Sequence, residues 1–293
     1  MMAAIEGAAG EQSAGPTARR MILGAQLRRL REQAGISRAE AGYHIRASES
    51  KISRLELGRV GFKERDVTDL LTMYGIGDPE ERSSFLTMVK QSNSPGWWQK
   101  FNEYMPKWFD DYVGLEEAAS RIQTYELQFV PGLLQTEDYA RAIVTHGLPE
   151  TANAAAEGRL ALRMRRQRLL FRPNAPRLWA VIDESVLHRP IGGRDVLRRQ
   201  LDQLLELTKM PHITLQVVPY ERSGYAAEGA FTLLRFSEPE LPNIAYIEHI
   251  AGGLYLDRPD EIELIGRSLD RLAVDAETPD RSRQMLLKAH AAA

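Results

Sequence analysis

The sequence predicts two domains of different class: a small all-α helix-turn-helix domain, then a larger α+β domain with a largely antiparallel sheet. Three observations lead there. Residues 37–58 (SRAEAGYHIRASESKISRLELG) hold two short capped helices with room between them for only a tight turn. The helices on either side keep apolar residues at spacings of three and four. Beyond residue 177, short runs of strand character recur between turn signals.

The helix pair rests on its caps. Ser37 and Glu40 form a capping box, in which each side chain satisfies an orphan backbone N–H at the helix start. Ser48 is a second N-cap, and Gly58 is a natural C-terminal stop. At 3.6 residues per turn, Ile52 and Leu55 of the second helix share an inward face. Ser50 and Arg54 point the opposite way, flanked by Lys51 and Ser53, and no large apolar group follows until Leu57. Short hydroxyls and long cations on one face can approach base edges and phosphates without a steric barrier. An isolated helix with that face would be an ordinary solvated helix; here the neighbouring helices decide for the former.

The rest of the first domain follows in order. Residues 1–18 are rich in Ala, Gly, Ser and Glu without periodicity and read as a disordered tail. A helix over 19–34 aligns Leu23, Leu27, Leu30 and Ala34, and Gly35 ends it. After the pair, Val67, Leu70, Leu71 and Tyr74 mark a fourth helix. Asp78 and Pro79 start a fifth that runs to about residue 91 and holds Phe85, Leu86 and Val89. The domain thus spans residues 19–92.

Composition sets the bounds. The chain has 293 residues, 43% hydrophobic and 27% charged, and no cysteine, which excludes disulfides and thiolate chemistry. No apolar run approaches the roughly 18 residues of a membrane span, and the N-terminus has no signal-peptide core. A cytoplasmic, nucleoid-associated protein is expected, with no membrane contact. The net charge of −2 hides an asymmetry: residues 17–76 hold 12 Lys and Arg against 7 Asp and Glu. A basic small domain on an acidic larger one suits a nucleic-acid binder whose second domain recognises something else.

The segments LGAQLRRLREQAGISRAE, SESKISRLELG and VTDLLTMYGI resemble the lambda-repressor-like helix-turn-helix domains of the Cro/C1, or xenobiotic-response-element, type. The resemblance covers roughly residues 20–92. It implies that the third helix lies in the major groove while the start of the second touches the DNA backbone. Carried over, the DNA-binding residues are Ser37, Arg38, Ser48, Glu49, Ser50, Lys51, Ser53 and Arg54. Arg38 stands where the family usually has Gln, Arg46 where the turn often has Gly, and Gly42 where Ala is common. It further implies double-stranded DNA with a pseudo-palindromic operator as partner, bound by a homodimer.

Residues 93–112 change character and form an aromatic-rich connector. Ser, Asn, Pro95 and Gly96 mark a linker, followed by Trp97, Trp98, Phe101, Tyr104, Trp108, Phe109 and Tyr112. Pro106 must kink or break any helix there. These aromatics either fill the second domain's core or form a partner or ligand pocket from Trp97, Trp98, Phe101, Tyr104, Trp108 and Phe109. Glu103, Asp110 and Asp111 oppose a role at an anionic membrane surface.

The α+β domain covers residues 113–293. Residues 115–127 read as helix. Pro131-Gly132 is a turn, followed by a helix capped by Thr136. A long Arg-rich helix spans 151–172, and its run Arg163, Arg165, Arg166, Arg168 reads as a solvated face rather than a DNA contact. Strand-like runs occupy 178–187, 213–218, 230–237 and 243–250, with a helix at 193–209. Gly252-Gly253 can turn a hairpin into LYLD, and helices at 259–275 and 279–291 close the chain.

The segments FVPGLLQTEDYARA, ESVLHRPIGG, LQVVPY and IEHIAGGLYLDRPDEI resemble the effector domain that accompanies such helix-turn-helix modules in many actinobacterial regulators. The resemblance implies a transcriptional regulator, antitoxin-like or developmental, whose second domain recognises a small partner protein. A small-molecule signal is the alternative. An enzyme is the third reading, and the residues oppose it. The six histidines are scattered without HxxxH spacing, and Glu248-His249 and Asp183-Glu184 sit on strands whose adjacent side chains diverge. No P-loop, GxGxxG or GxSxG occurs. We therefore expect no enzyme, no metal and no cofactor.

Overall fold

The computed structural model describes residues 15–146, 153–225, 229–239 and 241–293. Residues 1–14 of the expected tail, and the first two residues of the helix expected at 151–172, lie outside them. The chain divides into two compact units, Met1–Gly96 and Trp97–Ala293.

The first unit is all helical: α1 (Pro16–Gln33), α2 (Arg38–His44), α3 (Glu49–Glu56), α4 (Glu64–Met73) and α5 (Pro79–Ser92). Helix α1 begins three residues earlier than its apolar pattern suggests. Pro16 sits in its first turn, where a missing N–H costs nothing and the fixed φ suits a helix. The caps of the helix pair are as expected. The Ser37 hydroxyl accepts from the Glu40 amide at 3.2 Å, and the Ser37 amide donates to Glu40 Oε2 at 2.8 Å. Ser48 Oγ accepts from the Lys51 amide at 3.2 Å. Leu23, Leu27, Ala41, Ile45, Ile52, Leu55, Leu71, Phe85 and Val89 meet in one core.

Glycine sets how closely α1 and α3 approach. A Cβ on Gly24 would lie 2.6 Å from the Glu56 carbonyl oxygen, which is backbone and cannot swing aside. The turn of the helix pair is less comfortable. Arg46 adopts φ +54°, the single non-glycine residue with positive φ among those described. That conformation costs an L-residue with a Cβ roughly 1 kcal/mol.

The second unit contains α6 (Lys107–Ala118), β1 (Arg121–Glu126), α7 (Glu137–Thr145), α8 (Asn153–Gln167), β2 (Arg177–Asp183), α9 (Arg194–Leu207) and β3 (Ile213–Val218). After these come β4 (Phe231–Arg235), β5 (Ile244–His249), β6 (Gly252–Leu256), α10 (Pro259–Asp275) and α11 (Pro279–Ala292). The sheet has the order β3-β2-β1-β4-β5-β6. Three of its five pairings are antiparallel, β1–β4, β4–β5 and β5–β6, and β1–β2 and β2–β3 are parallel. Helices α7 and α8 make the crossover from β1 to β2, and α9 that from β2 to β3, which is the connection parallel neighbours need.

Three expectations are corrected here. Residues 115–127 are not one helix: α6 stops at Ala118, and 121–126 form the central strand. Four consecutive residues of β1, Ile122 to Tyr125, are buried because both faces of the strand are covered, so no alternation is left to read. The hairpin turn between β5 and β6 is Ile250-Ala251, with His249 opposite Gly252. Gly253 lies within β6 because a Cβ there would come within 2.5 Å of the Tyr246 ring and 3.0 Å of Trp108. The basic run is a solvated face only in part: Arg165 and Arg168 are exposed, whereas Arg163 is half-buried and Arg166 is buried among protein groups.

One face of the sheet packs Tyr125, Val181, Leu233 and Ala245 against Ile265, Leu269 and Leu272 of α10. The β3 edge is closed by the segment entering α11: Val217 N donates to Ser282 Oγ at 2.9 Å and Glu277 N to the Val217 carbonyl at 2.8 Å. Among the described residues, no helix is long and apolar enough to cross a membrane.

Gly24→Ala is expected to destabilise the first unit by about 3 kcal/mol, since the added methyl meets backbone. Chemical denaturation of the full chain, followed by circular dichroism, should show an earlier helical transition; an unchanged midpoint would show that α1 and α3 can separate freely.

Candidate functional sites

In the first unit one buried carboxylate joins three helices. Glu56, the last residue of α3, has a side chain only 3% exposed. Its oxygens accept from Arg31 of α1, with Nη2 at 3.0 Å from Oε2, and from Arg38 Nε of α2 at 3.0 Å. Arg31 also donates to the Ile36 carbonyl at 2.8 Å, tying down the α1–α2 connection. The hydrogen bond with Glu56 holds the Arg31 guanidinium even more firmly in its charged form than usual, outweighing the opposing effect of burial. A second pair, Lys51 Nζ to Asp66 Oδ2 at 2.8 Å, links α3 to α4.

These contacts sort the eight candidate DNA-binding residues. Ser37 and Ser48 are helix caps, their hydroxyls occupied by backbone amides. Arg38 and Lys51 are about one-third exposed and ion-paired within the fold. Glu49, Ser50 and Arg54 are exposed and Ser53 half-exposed, and none has a side-chain partner among the described residues. The structure therefore brings all eight to the α2–α3 pair but leaves four of them open to a ligand. Exposed Arg46, Arg59, Lys63 and Arg65 lie in the α2–α3 turn and around the connection from α3 to α4. Sequence reasoning did not select them as site residues, although the cation-rich stretch GRVGFKER follows α3.

The second unit holds a cleft of about 700 Å³. Its floor is the sheet face opposite α10, with Thr124 and Glu126 of β1, Thr232 of β4, and Tyr246 and Glu248 of β5. Helices α6 and α8 supply Phe109, Tyr112, Glu116, Leu162, Arg163 and Arg166, and residues 127–135 form the third wall. That wall is irregular backbone held by glutamine side chains. Gln200 receives the Thr136 amide at 2.7 Å and donates to the Leu134 carbonyl at 2.8 Å. Gln167 donates to the Gln135 carbonyl at 2.7 Å, and Gln135 itself to that of Val130 at 2.6 Å. Buried backbone outside helix and sheet needs such partners.

Electrostatics divides the cleft. Arg166 grips Glu116 through two hydrogen bonds of 2.8 and 2.7 Å and lies over the rings of Phe109 (4.9 Å) and Tyr112 (5.4 Å). Burial opposes its charge, and the Glu116 carboxylate more than offsets that. Arg163, one turn earlier, has no carboxylate partner among the described residues; its Nη1 donates to Gln135 Oε1 at 2.9 Å. Burial, then repulsion from Arg166, pulls its pKa down to about 10. Burial pushes the Glu126 carboxyl up to about 7, against the attraction of Arg163 and with the added repulsion of Glu248.

The six aromatics proposed as a pocket are dispersed. Tyr104 and Phe109 line the cleft. Trp98 is buried, with Phe101 and Trp97 packed against its cluster. Trp97 borders a separate hollow of about 230 Å³ with Glu117 and Arg165, and Trp108 stays partly exposed, its carbonyl accepting from Tyr255. Glu126 and the glutamines escaped sequence reasoning, and Arg163 and Glu248 were read there as a solvated cation and half of a diverging pair, because the cleft residues come from five separate elements. No local pattern unites them.

The geometry defines a helix-turn-helix protein with a second, cleft-bearing unit. Residues 22–85 match the family described as "Helix-turn-helix domain". Residues 109–288 match "Domain of unknown function (DUF5753)", and the chain belongs to that family. No curated protein and no solved structure matches the chain.

Glu126 also makes a pH signature. Its carboxyl titrates near 7 when folded against an ordinary 4.5, so between those values the folded state holds a proton that the unfolded state has lost. Its contribution is therefore fully present below about 4.5 and is lost as pH rises through about 7. The second unit should melt at lower temperature at pH 8 than at pH 5, and Glu126→Gln should shrink that difference. Calorimetry across this range checks it; an unaltered profile in the variant would remove Glu126 as the source.

Proposed function

We propose that this protein is a sequence-specific DNA-binding transcriptional regulator that acts as a homodimer on a pseudo-palindromic operator. The observation behind the reading is the α2–α3 pair. Its helices are capped and clamped from within by Glu56, while the Ser50, Ser53 and Arg54 side chains have no partner among the described residues. A long cation between hydroxyls can make the bidentate contact with guanine that distinguishes it from other bases. Arg59, Lys63 and Arg65 contribute phosphate contacts that set affinity rather than sequence. One such domain reads a short half-site, and two-fold pairing supplies the selectivity needed against genomic DNA.

The second unit is the sensory part, and it acts without enzymatic chemistry. The resemblance to actinobacterial effector domains supports recognition of a small partner protein. The aromatic-walled cleft favours a second reading, a small-molecule signal, because its size is that of ordinary ligand sites of about 300–1,000 Å³. In either case the signal acts by changing how strongly the dimer holds DNA inside the cell.

Arg54→Ala should cost about 1–3 kcal/mol on the operator while binding to random DNA changes far less. Fluorescence anisotropy on both duplexes at fixed salt measures this. Equal losses on the two would make Arg54 a phosphate contact and move base reading elsewhere.

A further inference from the structure

We propose that the cleft of the second unit binds a small zwitterion with an apolar body, an amino acid or short peptide, whose anion meets Arg163 and whose cation meets Glu126. The inference rests on reading this unit as a sensor and names the chemistry of what it senses.

Arg163 and Glu126 line the same cavity without an ion pair between them, and the Glu248 carboxylate on the same floor acts on both. Among the described residues Arg163 makes one side-chain hydrogen bond, to Gln135, which leaves most of its five donors unused. Glu126 accepts no side-chain hydrogen bond among the described residues. The neighbouring Arg166, by contrast, is neutralised by Glu116 and has no charge to spare. Gly132 leaves the Arg163 guanidinium accessible room: a Cβ there would sit 3.2 Å from Nη1.

Charge balance then selects the ligand. A simple anion would satisfy Arg163 but set a further negative charge beside Glu126 and Glu248, which already repel each other. A simple cation would do the reverse. Leaving one buried charge uncompensated costs several kcal/mol, whereas a ligand with both charges compensates each group with its own partner. Tyr112 and Tyr246 also line the cleft, their rings tilted by 34° with centroids 4.4 Å apart, and such ring surface suits an apolar or aromatic side chain. The free amino acid and the peptide share this chemistry and differ in how much of the cavity they fill.

The test is isothermal titration of the full chain, without DNA, using phenylalanine and the tripeptide Ala-Phe-Ala, each free, N-acetylated and C-amidated. We expect at least one free form to bind about tenfold or more tightly than both of its capped forms, a difference of about 1.4 kcal/mol each. The tighter of the two probes identifies the source. Glu126→Gln should abolish the preference for the free amine and Arg163→Gln that for the free carboxylate, with circular dichroism confirming that the variants fold. The wild-type comparison stands even if a variant does not. Failure of both free probes to bind below about 10 mM, or equal binding of the capped forms, overturns the proposal. Neither result bears on DNA recognition.

Discussion

The Glu56 carboxylate is the constraint on which the DNA-facing half depends. It sits at the end of α3, almost fully buried, and holds one arginine from α1 and one from α2. Taking the Arg31 and Glu56 charges from water is expensive, and a buried ion pair of this kind is seldom a net source of stability. What it does is restrict geometry. An apolar contact could slide, whereas Arg31 and Arg38 fix the helix-turn-helix angle to within the tolerance of hydrogen bonds. Gly24 lets α1 lie against the Leu55 and Glu56 backbone at the same contact where Arg31 meets Glu56. Ser50, Ser53 and Arg54 are thus displayed on a rigid support, which recognition of base edges requires.

The second unit repeats the device with a different outcome. Arg166 and Glu116 tie α8 to α6, and four glutamines immobilise the irregular wall at residues 130–136. The rigid frame leaves a cavity rather than a filled core, with Arg163 and Glu126 held apart on its surface. The lowered pKa of Arg163 and the raised pKa of Glu126 both come first from desolvation, which a ligand would compensate, and their mutual attraction opposes both shifts. A preorganised site of this kind spends little of its binding energy on rearrangement.

How much of this can be read from residues alone differs between the halves. The first unit is built from local signals: Ser37 with Glu40, Ser48, Gly58 and the spacing of Ile52 and Leu55 each act over one or two turns, and each appears in the structure. The eight DNA-binding candidates were accessible for the same reason, but not their division. Nothing near Arg38 in sequence says that Glu56, eighteen positions on, will neutralise it. In the second unit strands β3 and β5, helix α10 and the cap at Thr136 are plain from local pattern. Strand β1 is not, because burial on both faces erased its alternation. The aromatic run 97–112 is conspicuous in sequence yet mostly structural, while the cleft's charged residues are individually unremarkable and converge only through the parallel crossover.

The claim that the chain reads DNA through a two-fold pair of α3 helices is tested most directly by selecting bound duplexes from a random pool with the purified full chain. The account predicts enrichment of an inverted repeat whose half-site centres lie about one helical turn apart, roughly 10 base pairs. A pool that remains random after repeated rounds, or yields only an unpaired motif bound by monomer, would contradict it.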